Sequence, residues 1–291
     1  MDLLTQLNCA VGYIEENICN DLALADVSKV TTYSSYHFGR LFYYIAEIPL
    51  SEYVRKRKLT LAGIELKNSD IKVIDLAMKY GYENADSFAR AFVKQHGITP
   101  TAARQDGALL KIFSPLTFQI KIKGVQGMNW RIEEKGAFEV FGIERVFGND
   151  EVALVPDFWT ELRENGEYER LYQAAGAKRG ENGMHCINAV CGYNEVPGDS
   201  FPYMICALKK PDSDTSGFKT TQIPKATWAV FRSEKNDKYQ GIVIKELFDR
   251  AYQEWLPSSG YEWASAPDME IYYTTDDGKY FEECWIPVIK K

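Results

Sequence analysis

Two stretches that lie fifty residues apart, residues 38–42 (FGRLF) and 88–92 (FARAF), carry the same pattern of phenylalanines around an arginine. Ile48 and Ile98 follow them at the same offset. A repeat of this length, with two short helical patterns and a tight turn in each copy, is typical of paired helix-turn-helix modules. Because the second helix of such a module enters the major groove of DNA, the repeat indicates a transcription regulator.

Helical spacing predicts which side of each module faces its core. The apolar positions that begin at Phe38 recur at i, i+3 and i+4, and Arg40 lies about 200° from Phe38 on a helical wheel. Arg40 and its counterpart Arg90 are therefore predicted to face outward. In the second copy, Gly81 suits a left-handed turn after the first helix, and Asn84 is a suitable N-cap for the next one.

Bulk composition limits the class of protein. The chain has 291 residues, which is enough for two ordinary domains. It has no run of about 18 apolar residues and no basic-then-apolar N-terminal segment, so neither a membrane span nor a secretory signal is expected. The six cysteines lack CxxC spacing, and the three histidines lack HExxH or HxH spacing. We therefore expect a cytoplasmic protein with reduced thiols, no metal site and no cofactor.

The net charge of −7 is unevenly distributed along the chain. Residues 1–107 hold 12 Lys and Arg against 13 Asp and Glu, whereas the remainder holds 22 against 28. Cations are bunched at residues 55–58 (RKRK). Since phosphate contact depends on local placement of charge, the first part is the expected DNA-binding part, and the acidic remainder is not expected to touch DNA.

Residues 5–106 resemble the DNA-binding region of the AraC/XylS family of regulators. The resemblance implies seven helices, with one long helix over about residues 49–66 joining the two modules. It is carried by residues 74–77 (IDLA), 80–82 (YGY), 88–92 (FARAF), 97–100 (GITP), Arg104, 40–42 (RLF) and 55–59 (RKRKL).

Three positions depart from the family pattern. Thr32 stands where the first turn usually has glycine, Glu47 replaces the usual glycine before Ile48, and Ala103 stands where an aromatic residue usually precedes the final arginine. These departures are expected to alter turn geometry and to leave the fold intact. They make the first module the less secure reader of DNA.

The same resemblance implies which side chains face the bases. Arginine suits bidentate contact with guanine, and Asp86 could accept from cytosine, whereas Gly39 and Ala85 offer close approach or a thymine-methyl contact. The alternative is that the arginines are solvated or pair with Glu47 or Glu83, and that Tyr36 covers the core of the first module. The implied positions are Tyr36, Gly39 and Arg40 in the first module and Ala85, Asp86 and Arg90 in the second.

After a short break the periodicity changes from helical to alternating. Residues 118–122 alternate at period two, as a half-buried strand does. Two helices are predicted at about residues 156–174 and 241–256, in the order strand, helix, two strands, then the same again. This order indicates an α+β domain over 117–291 with an antiparallel sheet, joined by a linker at 108–116 to an all-α domain over 1–107. Further strands are predicted at residues 129–135, 138–147, 186–193, 203–209, 227–232, 270–273 and 283–288.

Residues 117–291 hold all six tryptophans, most of which are expected to lie in the core. A carboxylate placed among aromatic rings raises a different hypothesis. Glu270 and Tyr272 share one face of a predicted strand, because successive side chains alternate. A buried acid with aromatic neighbours would attract an organic cation through charge and cation–π attraction, so the sequence predicts a small-molecule site at Glu270.

Residues 117–289 resemble GyrI-like effector-binding domains. The resemblance implies a pseudo-twofold pair of sheet-and-helix units with a ligand cleft between them, where Glu270 is the ligand-facing acid and Trp159, Tyr193, Trp228 and Tyr272 line the cleft. It is carried by residues 141–143 (FGI), 155–159 (VPDFW), 223–231 (IPKATWAVF), 255–257 (WLP), 259–261 (SGY) and 267–272 (PDMEIY).

Together these features predict a cytoplasmic regulator that binds promoter DNA and an aromatic or cationic effector, with RNA polymerase as a further partner. Two alternatives remain open at this point. Some GyrI-like domains hydrolyse small electrophiles, and Glu270 with a nearby tyrosine could act as acid and base, although the chain lacks a nucleophile elbow, a phosphate loop and metal spacing. The second half could instead bind only a protein partner.

Overall fold

The computed structural model describes residues 3–20, 22, 24–31, 33, 35–118, 127–149, 151–177, 183–194, 196, 200–237 and 241–291, with the backbone alone at 24, 25, 28, 35–37, 241 and 242. The chain forms two compact units. One comprises Met1–Phe42 and Ile48–Gln119, and the other comprises Tyr43–Glu47 and Ile120–Lys291.

The first unit is helical. Its described residues contain seven α-helices, as predicted, and the long helix α4 runs two residues further than expected. The helices are α1 (Leu3–Asn17), α2 (Leu24–Val27), α3 (Ser35–Ala46), α4 (Leu50–Asn68), α5 (Val73–Lys79), α6 (Ala85–His96) and α7 (Pro100–Ala103).

Local sequence signals set the ends of the helices in the second module. The Asn84 side chain accepts a hydrogen bond from the Ser87 backbone N–H at 2.8 Å, which caps α6 as predicted. Gly81 and Gly97 have φ values of +80° and +78°, which glycine adopts without strain. Phe88 and Phe92 are fully buried, so the inward face of α6 is also as predicted.

The segment that follows α7 lies along α4. Leu110 packs against the core of the second module, and the backbone N–H of Phe113 donates to Thr60 Oγ1 at 3.2 Å. Further on, Phe118 exchanges two backbone hydrogen bonds with the Asn8 side chain. The expected linker at 108–116 is therefore packed against the helical unit. Phe118 is not in a strand, and residues 119–122 of the strand predicted there lie outside the described residues.

The second unit is built on an antiparallel sheet in the order β1-β6-β9-β8-β3-β4-β2-β5, with β7 paired to β9. Every predicted strand from residue 129 onward is present, and β5 and β7 were not predicted. The strands are β1 (Asn129–Lys135), β2 (Phe138–Gly148), β3 (Ile187–Cys191), β4 (Ser200–Leu208), β5 (Lys219–Ile223), β6 (Ala226–Arg232), β7 (Tyr261–Trp263), β8 (Asp268–Thr274) and β9 (Tyr280–Lys290).

The sheet has a pseudo-twofold arrangement, as the resemblance implied. The order β6-β9-β8 on one side of the central β3–β8 pair matches β2-β4-β3 on the other. A π-helical turn over Ala251–Trp255 follows the second half's main helix. Among the described residues, no helix is both long and apolar enough to cross a membrane. The helices of this unit are α8 (Val155–Glu164), α9 (Glu167–Ala174), α10 (Gly241–Arg250) and α11 (Leu256–Ser258).

Candidate effector site and DNA-reading helices

Strand alternation places Glu270 on the helix-covered face of the sheet. Cross-strand pairs share a face, and Glu270 pairs with Ala189 on β3 and Cys284 on β9. On the same face, Phe231 of β6 contacts the ring of Trp255 after α10, with centroids 5.2 Å apart. The Glu270 side chain thus lies between the sheet and its helices, where solvent is partly excluded.

Two tyrosine hydroxyls converge on the Glu270 carboxylate. Tyr203 from β4 and Tyr272 from β8 each donate to Glu270 Oε2 at 2.6 Å. The contact with Tyr272 confirms that alternation puts these two residues on one face. Short hydrogen bonds of this kind are strong because the acceptor carries a full charge. The two donors therefore hold the carboxylate in one orientation.

Trp159 of α8 completes a closed group of contacts. Its indole Nε1 donates to the Tyr203 hydroxyl at 2.9 Å, and its ring meets Tyr272 edge-on with centroids 5.4 Å apart. The Arg163 guanidinium lies 5.4 Å from the Trp159 ring centre, so this aromatic wall already attracts a cation of the protein.

Burial and charge keep Tyr203 protonated. Burial, followed by the negative charge of Glu270 and the hydrogen bond to it, raises the pKa of Tyr203 well above its usual value. The same charge acts on Cys206 across the sheet, where burial and Glu270 together raise the pKa of the thiol. Tyr203 is thus a fixed hydrogen-bond donor at neutral pH.

Two of the predicted lining residues lie on the opposite face of the sheet. Trp228 is fully buried in a core with Trp285, and its Nε1 donates to the Pro267 carbonyl at 3.0 Å. Tyr193 packs against the same core and donates its hydroxyl to Glu144. The structure therefore brings together Trp159, Glu270 and Tyr272, and it does not bring Tyr193 and Trp228 to them. The family resemblance predicts which residues lie in strands. It does not predict which face of the sheet the Trp228 side chain is on.

The face of the second module that is predicted to contact DNA bases is exposed. Arg90 and Asp86 are exposed on α6, and Ala85 is half-buried at its first position. Asp86 and Arg90 are one helical turn apart on the side opposite Phe88 and Phe92. Within the described part of the chain, the Arg90 side chain takes part in no ion pair, so pairing with Glu83 does not occur.

The first module differs at the matched positions. Arg40 is only 6% exposed and Gly39 is buried, so the prediction that Arg40 faces outward is wrong for this structure. Phe38, Leu41 and Phe42 are buried on the same helix, so α3 is enclosed on more than the one face that a helical wheel assigns to the core. The backbone of Tyr36 lies in α3, and its side chain is outside the described residues.

Comparisons with known proteins agree with both halves of the chain. A family profile for a GyrI-like small molecule binding domain matches residues 128–289, which is more than half of the chain. A helix-turn-helix domain profile matches residues 27–106. The HTH-type transcriptional activator AarP of Providencia stuartii is 38% identical over 92 residues, which is 32% of this chain and 68% of AarP.

The chain belongs to the AraC-type transcriptional regulators and carries a GyrI-like small-molecule-binding domain. The regulatory protein SoxS of Escherichia coli K12 is 33% identical over 94 residues, which is 32% of this regulator and 88% of SoxS. The chain is also similar to SAV2435, whose structure was solved bound to tetraphenylphosphonium. The two sequences are 18% identical, and the match covers 56% of this regulator and 94% of that chain, with a TM-score of 0.45.

The sequence of this regulator did not single out Tyr203 as a site residue. It lies within a predicted strand, and a tyrosine in a mostly apolar strand carries a weak signal for a polar role. Its role depends on the pairing of β3 with both β4 and β8, which places Tyr203 and Glu270 on one face. That pairing joins segments more than sixty residues apart in the chain.

Proposed function

We propose that this AraC-type regulator binds an organic cation with aromatic surface beside Glu270, and that binding changes how its helix-turn-helix region engages promoter DNA. The observation that carries the proposal is the Glu270 carboxylate, which accepts hydrogen bonds from Tyr203 and Tyr272 at 2.6 Å beside the Trp159 ring. A carboxylate oriented by two donors is prepared to interact with a positive charge without further rearrangement.

Charge and aromatic surface act together at such a site. Trp159 and Tyr272 offer ring faces and edges to a flat or bulky apolar cation, and Glu270 offers the counter-charge. Because solvent is partly excluded there, the attraction is screened less than at an open surface. A cation–π contact at a desolvated position contributes about 2 kcal/mol, which favours a cation over a neutral ligand of similar shape.

On the DNA side, we propose that Arg90 reads a guanine and Asp86 a cytosine, with Ala85 close to the groove floor. Tyr36, Gly39 and Arg40 are proposed to read DNA in a state where α3 is exposed. We also propose a cytoplasmic location and RNA polymerase as a further partner, because AarP is named an activator.

We propose binding and not hydrolysis for the Glu270 site. A tyrosine whose pKa is raised well above the usual value is a poor nucleophile and a poor base at neutral pH, which applies to Tyr203. Among the described residues, no group of three or more His, Cys, Asp or Glu side chains could hold a metal ion.

Calorimetric titration with tetraphenylphosphonium and with its neutral relative triphenylphosphine oxide tests the proposal. Glu270→Gln keeps shape and a hydrogen-bonding oxygen but removes the charge. We expect it to weaken the cation by tenfold or more, about 1.4 kcal/mol, and to leave the neutral ligand nearly unchanged. Glu139→Gln, an exposed carboxylate on β2, is the matched control for net charge. Equal losses for both ligands, or a failure of the cation to bind wild type, would overturn the cation site.

A further inference from the structure

An arginine of the GyrI-like domain lies over two aromatic rings of the same domain. The Arg163 guanidinium is 5.4 Å from the ring centre of Trp159 and 5.4 Å from that of Tyr168. The centres of these two rings are 6.4 Å apart, and the ring planes are inclined by 49°. Trp159 and Tyr168, the outer aromatic pair, therefore hold one cation of the protein between them.

Short-range geometry brings the three side chains together. Trp159 and Arg163 lie four residues apart on α8, so they are neighbours on one side of that helix. The chain then turns at Gly166, whose φ of +83° is one that glycine adopts without strain. Tyr168 is the second residue of α9, which begins directly after this turn. One short segment therefore supplies both rings and the cation that lies over them.

The outer aromatic pair shares Trp159 with the Glu270 site. Trp159 is only 7% exposed, and its Nε1 donates to Tyr203, which in turn donates to Glu270. Tyr168 is half-buried and Arg163 is exposed. The pair thus lies on the solvent side of these hydrogen bonds, and a molecule that approaches Glu270 past Trp159 meets the guanidinium first.

The contact of Arg163 with the rings is weak enough to be exchanged for a ligand. A cation–π contact at an exposed position changes an equilibrium constant by only about two- to fivefold. Arg163 is exposed, so its contact belongs to this weaker class. A ligand with several aromatic rings can cover the same two rings of the protein and replace the contact that the guanidinium loses.

We propose that the outer aromatic pair is a subsite for the effector, and that Arg163 fills this subsite in the ligand-free protein and leaves it when the effector binds. The inference rests on the proposed function of Glu270, because the two sites share Trp159. Every ligand must displace the guanidinium from the rings, and a cationic ligand must also overcome its repulsion. Arg163 is thus a specificity-determining residue that selects ligands with enough aromatic surface to take its place.

Calorimetric titration of the full chain with tetraphenylphosphonium and with triphenylphosphine oxide tests the displacement. Arg163→Ala removes the guanidinium at an exposed helical position, where alanine favours the helix. We expect the neutral ligand to bind about two- to fivefold more tightly, and the cation to gain at least as much because repulsion is also removed. Arg163→Lys keeps the charge in a more hydrated group that stacks less, so its affinities should lie between those of wild type and Arg163→Ala.

Arg232→Ala is the matched control for net charge. Arg232 is also exposed, and its guanidinium lies 3.8 Å from the Phe281 ring centre. It pairs with Glu283 on β9, whereas Glu270 pairs with the next residue, Cys284, so Arg232 and Glu270 are on opposite faces of the sheet. The control should bind the neutral ligand with wild-type affinity.

Nuclear magnetic resonance of arginine-labelled protein follows the Arg163 side chain directly. Ring currents of the outer aromatic pair should shift its δ-methylene protons upfield in the ligand-free protein, and Arg163→Ala identifies the signal by its loss. The signal should return towards its ordinary position as tetraphenylphosphonium saturates the protein. An unshifted signal without ligand, or a signal that stays shifted at saturation, would refute the proposed role of Arg163.

The affinities separate this inference from the proposed function. If Arg163→Ala binds both ligands as wild type does while Glu270→Gln still weakens the cation, the outer subsite is refuted and the proposed function stands. A gain for the cation alone would reflect repulsion without displacement, and a loss for both ligands would mean that Arg163 supports the site; each result overturns the inference. If tetraphenylphosphonium binds neither wild type nor Arg163→Ala, the proposed function fails and the displacement fails with it.

Discussion

Glu47 holds a left-handed backbone with φ of +59° at the position where the second module has Gly97 with φ of +78°. Each residue follows the end of a recognition helix, and each backbone N–H donates to the carbonyl four residues earlier at 2.8 Å. Within the described residues, Glu47 is the one non-glycine residue with positive φ. The substitution of the family glycine has therefore kept the turn and placed strain in it, whereas altered turn geometry had been expected.

We expect Glu47→Gly to stabilise the protein. A left-handed conformation costs a non-glycine residue about 1–2 kcal/mol, and glycine removes this cost. Glycine also has more conformational freedom in the unfolded chain, which opposes folding by about 0.5–1 kcal/mol. The expected net increase in the free energy of unfolding is about 0.5–1 kcal/mol, measured by urea denaturation. Gly97→Ala is the converse control, because it places a side chain at the matching left-handed position, and it should lower the free energy of unfolding. A Glu47→Gly variant that is no more stable than wild type would show that other contacts of Glu47 offset the strain.

Arg90→Ala is expected to lower affinity for the cognate site by about 1–3 kcal/mol and to relax preference at one base pair. Arg40→Ala should cost less in the ligand-free protein, because Arg40 is buried there and Arg90 is exposed. Gel-shift titrations on the native promoter and on operators with single base changes measure both effects. An Arg90→Ala protein that discriminates all operators as wild type does would contradict the assignment of α6 as a reading helix.

Sequence analysis correctly predicted those features whose geometry is determined within one short segment. The Asn84 cap and the left-handed turn at Gly81 follow from short-range sterics and hydrogen bonding. Alternation along β8 likewise placed Glu270 beside Tyr272. Each of these features involves residues that are close in the chain.

The features that sequence analysis missed depend on contacts between distant segments. Tyr203 reaches Glu270 only because β3 lies between β4 and β8, and Trp228 faces away from Glu270 because β6 pairs with β9 in one particular register. A one-residue change of register would reverse every face of a strand. Arg40 is a further miss, because it matches Arg90 on the helical wheel and yet it is buried where Arg90 is exposed.

Replacing the two tyrosines of the effector site should have unequal effects on stability. Tyr203→Phe removes a donor to Glu270 and also the acceptor of the buried Trp159 N–H, whereas Tyr272→Phe removes a donor to Glu270 and leaves the Trp159 hydrogen bond in place. A buried donor left unsatisfied costs about 1–3 kcal/mol. We therefore expect Tyr203→Phe to lower the free energy of unfolding by more than Tyr272→Phe does, in denaturation monitored by tryptophan fluorescence. Equal losses would mean that the Trp159 hydrogen bond contributes nothing to stability.

A pH dependence is expected from His96, which is 5% exposed at the end of α6. Its Nε2 lies 3.0 Å from the Leu59 carbonyl of α4, and its buried Nδ1 has no hydrogen-bond partner among the described residues. Burial, and to a smaller extent the charge of Lys111, lowers the pKa of His96, although the bond to Leu59 opposes this. The folded protein therefore keeps the imidazole neutral at pH values where the unfolded chain binds a proton. Stability from this group is complete above the usual histidine pKa of about 6.5 and is lost as the pH falls below it.

Denaturation of wild type and His96→Gln at pH 7.5 and pH 5.5 measures this effect. Glutamine can still donate to the Leu59 carbonyl and does not titrate, so the variant should lose less stability between the two pH values than wild type does. Other groups that titrate in this range contribute equally to both proteins and cancel in the comparison. The same loss in both proteins would show that His96 takes up a proton in the folded state as easily as in the unfolded chain, and that the packing of α6 on α4 is insensitive to its charge.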